Sequence, residues 1–109
     1  MMVRILTYPE LIRIVVTARV PLAATLLRCR PGGFPDERVE VNHFDTLTLF
    51  WPAADYEYSV ILWEDGDPPV FLGMVRVTED KLIARSTRAG RIEVQDHGSG
   101  RAVEVAPEG

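Results

Sequence analysis

An all-β fold is what this sequence predicts, and three observations carry it. Apolar and polar residues alternate with period two in several runs between Leu11 and Val77, which sends successive side chains to opposite faces of a strand. Clusters of glycine, proline and aspartate separate those runs at close spacing. No window holds a sustained helical period. Six to nine short strands with frequent turns describe an antiparallel β-sandwich or a small barrel. The 109 residues, 47% hydrophobic and 26% charged, allow one domain with a single core.

The first run is Leu11 to Val20, where Ile12, Ile14, Val16, Ala18 and Val20 share a face opposite Arg13, Thr17 and Arg19. Pro21 interrupts it, because a proline donates no ladder hydrogen bond, and the chain resumes at Ala24 to Arg30 with Thr25, Leu27 and Cys29 opposite Arg28 and Arg30. Residues 30–37, Arg-Pro-Gly-Gly-Phe-Pro-Asp-Glu, read as a loop. Val39 to His43 and Asp45 to Trp51 alternate again, the second run turning Leu47, Leu49 and Trp51 inward and Thr46, Thr48 and Phe50 outward. Pro52 begins a corner. Tyr56 to Glu64 follows, with Tyr56, Tyr58, Val60 and Leu62 on one face and Ile61 and Trp63 on the other. Asp65-Gly66 is a hairpin signal. Val70 to Val77 returns with Phe71, Gly73, Val75 and Val77 on a common face. Beyond Thr78 the pattern weakens to three short strand-like runs, Lys81 to Ser86, Arg91 to Gln95 and Ala102 to Val105. Residues 1–78 are thus expected to form the sandwich, and 79–109 a β-rich extension too short to bury a core of its own. Its strands would pair with an existing edge, within the chain or across a homo-oligomer contact.

Composition excludes several function classes. Twelve basic residues against sixteen acidic ones give a net charge of −4, with no basic excess to attract nucleic acid. Charge is uneven along the chain: residues 1–30 carry a net +4, 31–78 a net −7 and 79–109 a net −1. Such segments can face each other in the fold or face a neighbouring subunit. Cys29 is the only cysteine, which rules out a disulfide framework and a cysteine-based zinc site. The apolar stretch Ile14 to Leu27 is shorter than a membrane span, is broken by Arg19 and Pro21, and follows Glu10 and Arg13, so neither a span nor a signal peptide is expected.

The candidate chemistry is sparse. Glu64, Asp65 and Asp67 could touch a hard cation, yet a calcium loop needs more oxygen ligands and Pro68-Pro69 ends the run, so a solvated turn is the reading and no metal or cofactor is expected. His97 lies near Asp96 and Ser99, but a Ser-His-Asp triad is a spatial arrangement that neighbours on a glycine-rich turn are badly placed to make. His43 shares a face with Val39 and Val41 and reads as a strand residue. Arg85, Arg88 and Arg91 could meet phosphates, but Glu79, Asp80, Glu93 and Asp96 surround them. No catalytic group stands out, and no enzymatic activity is expected. Tyr56 and Tyr58, after a proline corner, are set either as a tyrosine corner or as ordinary core aromatics. With Gly66 and Gly73 they are the fold-determining candidates. Phe50, Ile61, Trp63 and Met74 face away from the proposed core. They are candidates for a subunit contact or a sugar platform, or belong to a second core face if the assignment is reversed.

From Leu47 to Thr78 the chain resembles a segment of small immunoglobulin-like β-sandwich proteins of tailed bacteriophages and prophages, similar to the N-terminal domains of upper-baseplate proteins. The motif is a strand, a proline or glycine corner, a Tyr-x-Tyr strand, an acidic-glycine hairpin and a Leu-Gly-x-Val-x-Val strand. Tyr56 and Tyr58, Asp65 and Gly66, then Leu72, Gly73, Val75 and Val77 occupy those places. Asp55 stands where the pattern has a glycine, and the chain runs on through 79–109. The resemblance implies an immunoglobulin-like sandwich and a non-enzymatic tail, baseplate or head-accessory protein acting by contact with other virion or assembly proteins. Such a protein would stay in the host cytoplasm during assembly and then enter the virion. The alternative is a carbohydrate-binding module that stacks a host surface saccharide on the outward aromatics.

Overall fold

The computed structural model describes residues 2–17, 22–30, 33–42, 44–86, 92–96 and 100–107. Ten strands follow in chain order: β1 Met2–Thr7, β2 Leu11–Thr17, β3 Leu22–Cys29, β4 Pro35–Asn42, β5 Thr46–Phe50, β6 Glu57–Glu64, β7 Val70–Val77, β8 Lys81–Ser86, β9 Ile92–Asp96 and β10 Ala102–Pro107. There is no helix among the described residues. The strands form a four-stranded sheet in the order β5-β2-β1-β9 and a six-stranded sheet in the order β10-β8-β7-β6-β3-β4. Strand β2 pairs with β5 in one sheet, while β3, β6 and β7 are neighbours in the other. The two sheets pack together as a β-sandwich, with β4 added beside β3 at the edge of the larger one. The Cα radius of gyration is 13.1 Å, matching the value of about 13 Å expected for a folded chain of this length.

Alternation builds the core. Val3, Ile5, Ile12, Ile14 and Val16 point inward from the four-stranded sheet and meet Leu22, Ala24, Val60, Leu62, Leu72, Val75, Val77, Leu82 and Ala84 from the other. Leu47, Leu49 and Trp51 pack against this cluster while Phe50 points outward, as the alternation of that run predicts. Each fully buried Val, Leu or Ile contributes about 1.5–3 kcal/mol relative to exposure. The core does not end at Val77, since Leu82 and Ala84 of β8 are fully buried in it.

Four differences from the sequence reading have physical causes. Strand β1 precedes the first predicted strand and lies centrally between β2 and β9; its alternation, Val3 and Ile5 inward, is too short to stand out. Strand β4 starts at Pro35, inside the predicted loop, because a proline at the first position of an edge strand withholds no hydrogen bond from a neighbour. In β3 the inward set is Leu22, Ala24 and Leu26, which leaves Thr25 and Leu27 on the outer face. In β7 a bulge separates the pairs Leu62 with Gly73 and Trp63 with Phe71, so Leu72 is an extra residue. It turns Leu72 into the core and Phe71 outward, where parity alone would have put Phe71 inside.

The C-terminal strands alternate between sheets. β8 extends the six-stranded sheet, β9 lies parallel to β1 in the other, and β10 returns parallel to β8. Two crossings restore the chain direction between β8 and β10, which is why that pairing is parallel. Within the chain this segment covers the β1 and β7 edges.

Candidate functional site

Two strands of the six-stranded sheet, β6 and β7, present most of the outward residues singled out in the sequence. Ile61 pairs with Met74, and Trp63 pairs with Phe71, whose rings lie 5.5 Å apart at an interplanar angle of 55°. All four side chains are half-buried. The register carries the outer face across both neighbours: Met74 stands beside Arg85, Ile61 beside Thr25 and then Glu40, and Trp63 beside Ala23 and then Asn42. Ile83 and Arg76 form the adjoining row. The face is therefore an apolar centre with a charged rim. Phe50 does not belong to it, being on the other sheet, 70% exposed.

At the hairpin end of this face, the small side chains of Ala23 and Thr25 leave a groove of about 270 Å³. Trp63 and Pro69 supply its apolar wall, and Arg38, Glu40, Asn42 and Asp65 its polar groups. Arg38 Nη2 donates to Glu40 Oε1 at 2.7 Å along β4. A flat indole beside planar amide, carboxylate and guanidinium groups can stack on and hydrogen-bond a neutral polyhydroxyl ring.

The opposite end of the face holds a partly buried ion pair. Glu57, 7% exposed, accepts hydrogen bonds from Arg76 Nη2 at 3.1 Å on Oε1 and 3.0 Å on Oε2. Cys29 Sγ donates to Glu57 Oε1 at 3.7 Å. Burial, and then the neighbouring Glu57 carboxylate, push the Cys29 thiol above its ordinary pKa, so it stays protonated and unreactive. This cluster anchors β3, β6 and β7 to one another and offers no nucleophile.

Tyr56 and Tyr58 are both half-buried. Tyr58 packs against the core, whereas the Tyr56 ring is covered from outside by the guanidiniums of Arg28 at 4.9 Å and Arg30 at 5.7 Å. Gly73 is buried opposite Leu62 beside the bulge. Gly66 sits in a five-residue connection between β6 and β7, where an added Cβ would make only an ordinary contact with the Pro68 carbonyl oxygen at 3.6 Å. The basic opening segment and the acidic middle do meet inside the fold: Arg28 lies 3.1 Å from Asp36 and 3.3 Å from Glu37.

His43, His97, Ser99, Arg88, Arg91, Ala18, Val20 and the kink at Pro21 lie outside the described residues, as does the side chain of Asp96. Among the described residues, no three His, Cys, Asp or Glu side chains are grouped as metal ligands. The groove residues Arg38, Glu40 and Asn42 and the pair Glu57 with Arg76 were not singled out in the sequence. The former had a signal in the alternation of the strand that contains Val39 and Val41; the latter had none, since their meeting depends on the β6–β7 register.

Comparison with known proteins adds no family. No family model, no curated protein and no solved structure matches the chain.

Proposed function

We propose that the chain is a non-enzymatic structural or assembly protein of a phage or prophage, working by protein–protein contact in a tail, baseplate or head accessory. The observation that carries this reading is the outer face of the six-stranded sheet, where Phe71, Trp63, Ile61 and Met74 gather into one apolar patch inside a rim of Arg85, Arg76, Arg38 and Glu40. An apolar centre with a charged rim is the composition of a protein interface. The resemblance of Leu47 to Thr78 to phage sandwiches names the partner class, other virion or assembly proteins. The working place that follows is the host cytoplasm and then the virion. Co-expression with the products of neighbouring genes tests it: one of them should co-purify with the wild-type chain and be lost with Ile61→Asp or Met74→Asp while the fold persists. Co-purification unaffected by both variants would place the contact elsewhere.

A second reading rests on the groove. Trp63 beside Asn42, Glu40, Arg38 and Asp65 suits a saccharide, and titration with host cell-wall saccharides would then change Trp63 fluorescence.

A further inference from the structure

Strand β4 is the outer edge of the six-stranded sheet and pairs only with β3. Its eight residues are exposed apart from a half-buried Val41, so a full row of backbone donors and acceptors faces away from the sheet. Such an edge accepts another strand, and the residue order of β4 says which one. We infer that β4 pairs antiparallel with β4 of a second copy of this chain, about a two-fold axis at Val39, joining two six-stranded sheets into one.

The register follows from charge. In a continuous sheet related by a two-fold axis, opposed residues must share a face, so the axis has to pass through a residue and not between two. An axis at Asp36, Glu37, Arg38 or Glu40 would set that charged residue against its own copy, and like charges directly opposite are destabilising. An axis at Val41 would engage only residues 40–42 of the strand. The axis at Val39 alone pairs the whole of residues 36–42 without conflict: Val39 faces Val39, Arg38 faces Glu40 twice, Glu37 faces Val41 and Asp36 faces Asn42. Arg38 and Glu40 already approach to 2.7 Å within one strand, so both heads lie on the same face and need only exchange partners. Asp36 and Glu37, the remaining charges of the strand, are held by Arg28 of β3. Pro35, which has no N–H to give, falls outside the paired window. Val39, 40% exposed in the isolated chain, would meet its copy at the axis. The inference stands on this strand alone and does not depend on the phage assignment.

A charge swap tests it. By analytical ultracentrifugation over a concentration series the wild-type chain should be a dimer, and Arg38→Glu or Glu40→Arg should each weaken dimerisation by at least about tenfold, since each replaces two attractive pairs by two repulsive ones. The double variant Arg38→Glu with Glu40→Arg restores both cross-strand pairs and should return to within about threefold of wild type. A wild-type monomer at about 1 mM, single variants that dimerise like wild type, or a double variant that stays dissociated would each overturn the proposal. Val39→Cys gives a readout without charge change: mild oxidation should link two chains through position 39, and a chain that remains uncrosslinked would also overturn it.

Discussion

Glu57 is the residue whose environment contrasts most with its chemistry, a carboxylate nearly out of water on the outer face of a sheet. Arg76 is its ion-pair partner, and that side chain is itself 48% exposed, so the pair is worth less than a fully buried one. Removing the cation should still cost more than removing the acid, because Arg76→Ala leaves a desolvated carboxylate behind. Urea unfolding should show a loss of about 2 kcal/mol for Arg76→Ala and less for Glu57→Leu. Cys29 carries a pH consequence. Its thiol is held above the ordinary value of 9.0, so in alkaline solution the folded chain binds a proton that the unfolded chain has lost. The contribution is complete below that value and fades as the pH rises through it, so the midpoint of unfolding should fall on going from neutral pH to pH above 9. In native protein the thiol should react with a disulfide reagent at least about tenfold slower than in denaturant. Arg101 works differently, by bracketing: Nε donates to the Glu79 carbonyl at 2.9 Å, Nη1 to the Pro9 carbonyl, and the guanidinium lies 4.4 Å above the Trp51 ring. Trp51 in turn donates from Nε1 to the Tyr8 carbonyl at 3.0 Å. None of these partnerships was legible in the sequence, since an isolated Arg, Glu or Cys looks the same whether it meets water or a partner 19 to 92 positions away.

At the scale of the element, legibility followed burial. Runs with one wet and one dry face, such as Ile12 to Val16 or Thr46 to Trp51, declared both their span and their orientation, because period two has no other physical source. Strand β4 was cut short because an edge strand exposed on both faces need not alternate. Strand β7 declared its span but not its faces. A bulge shifts parity without leaving a mark in composition, and here it exchanges Phe71 for Leu72. Truncation distinguishes the two. Leu72→Ala should cost about 2–5 kcal/mol, as for a buried leucine, while Phe71→Ala, which leaves the core untouched, should cost less than half as much. Equal losses, or a larger one at Phe71, would mean that the strand runs without its bulge. The same bulge places Phe71 beside Trp63, so the outward aromatic pair exists only because the ladder is interrupted there. This is where the candidate surface escaped sequence reasoning: Ile61, Trp63 and Met74 were visible as outward residues, but their grouping on one sheet, and the placement of Phe50 on the other, depend on which strands pair.

The molecule as a whole is held together by strands far apart in the chain. The first strand, β1, lies between β2 and β9, and β8 supplies Leu82 and Ala84 to a core otherwise built from residues 3–77. The segment beyond Thr78 is thus of two kinds. β8 contributes fully buried side chains to the interior, while β10 adds an edge from which half-buried Val103 packs against the core and Ala102 and Glu104 are exposed. Removing the two should have unlike effects. A chain ending at residue 100 loses β10 and the Arg101 bracket but keeps the core, and should unfold cooperatively with a reduced midpoint. A chain ending at Thr78 loses two fully buried side chains, uncovers the β7 edge and strips β9 from β1, so it gives up core burial and strand pairing in both sheets at once. That shorter chain should show no cooperative thermal transition by circular dichroism, and a sharp one would mean that residues 1–78 close a core without β8.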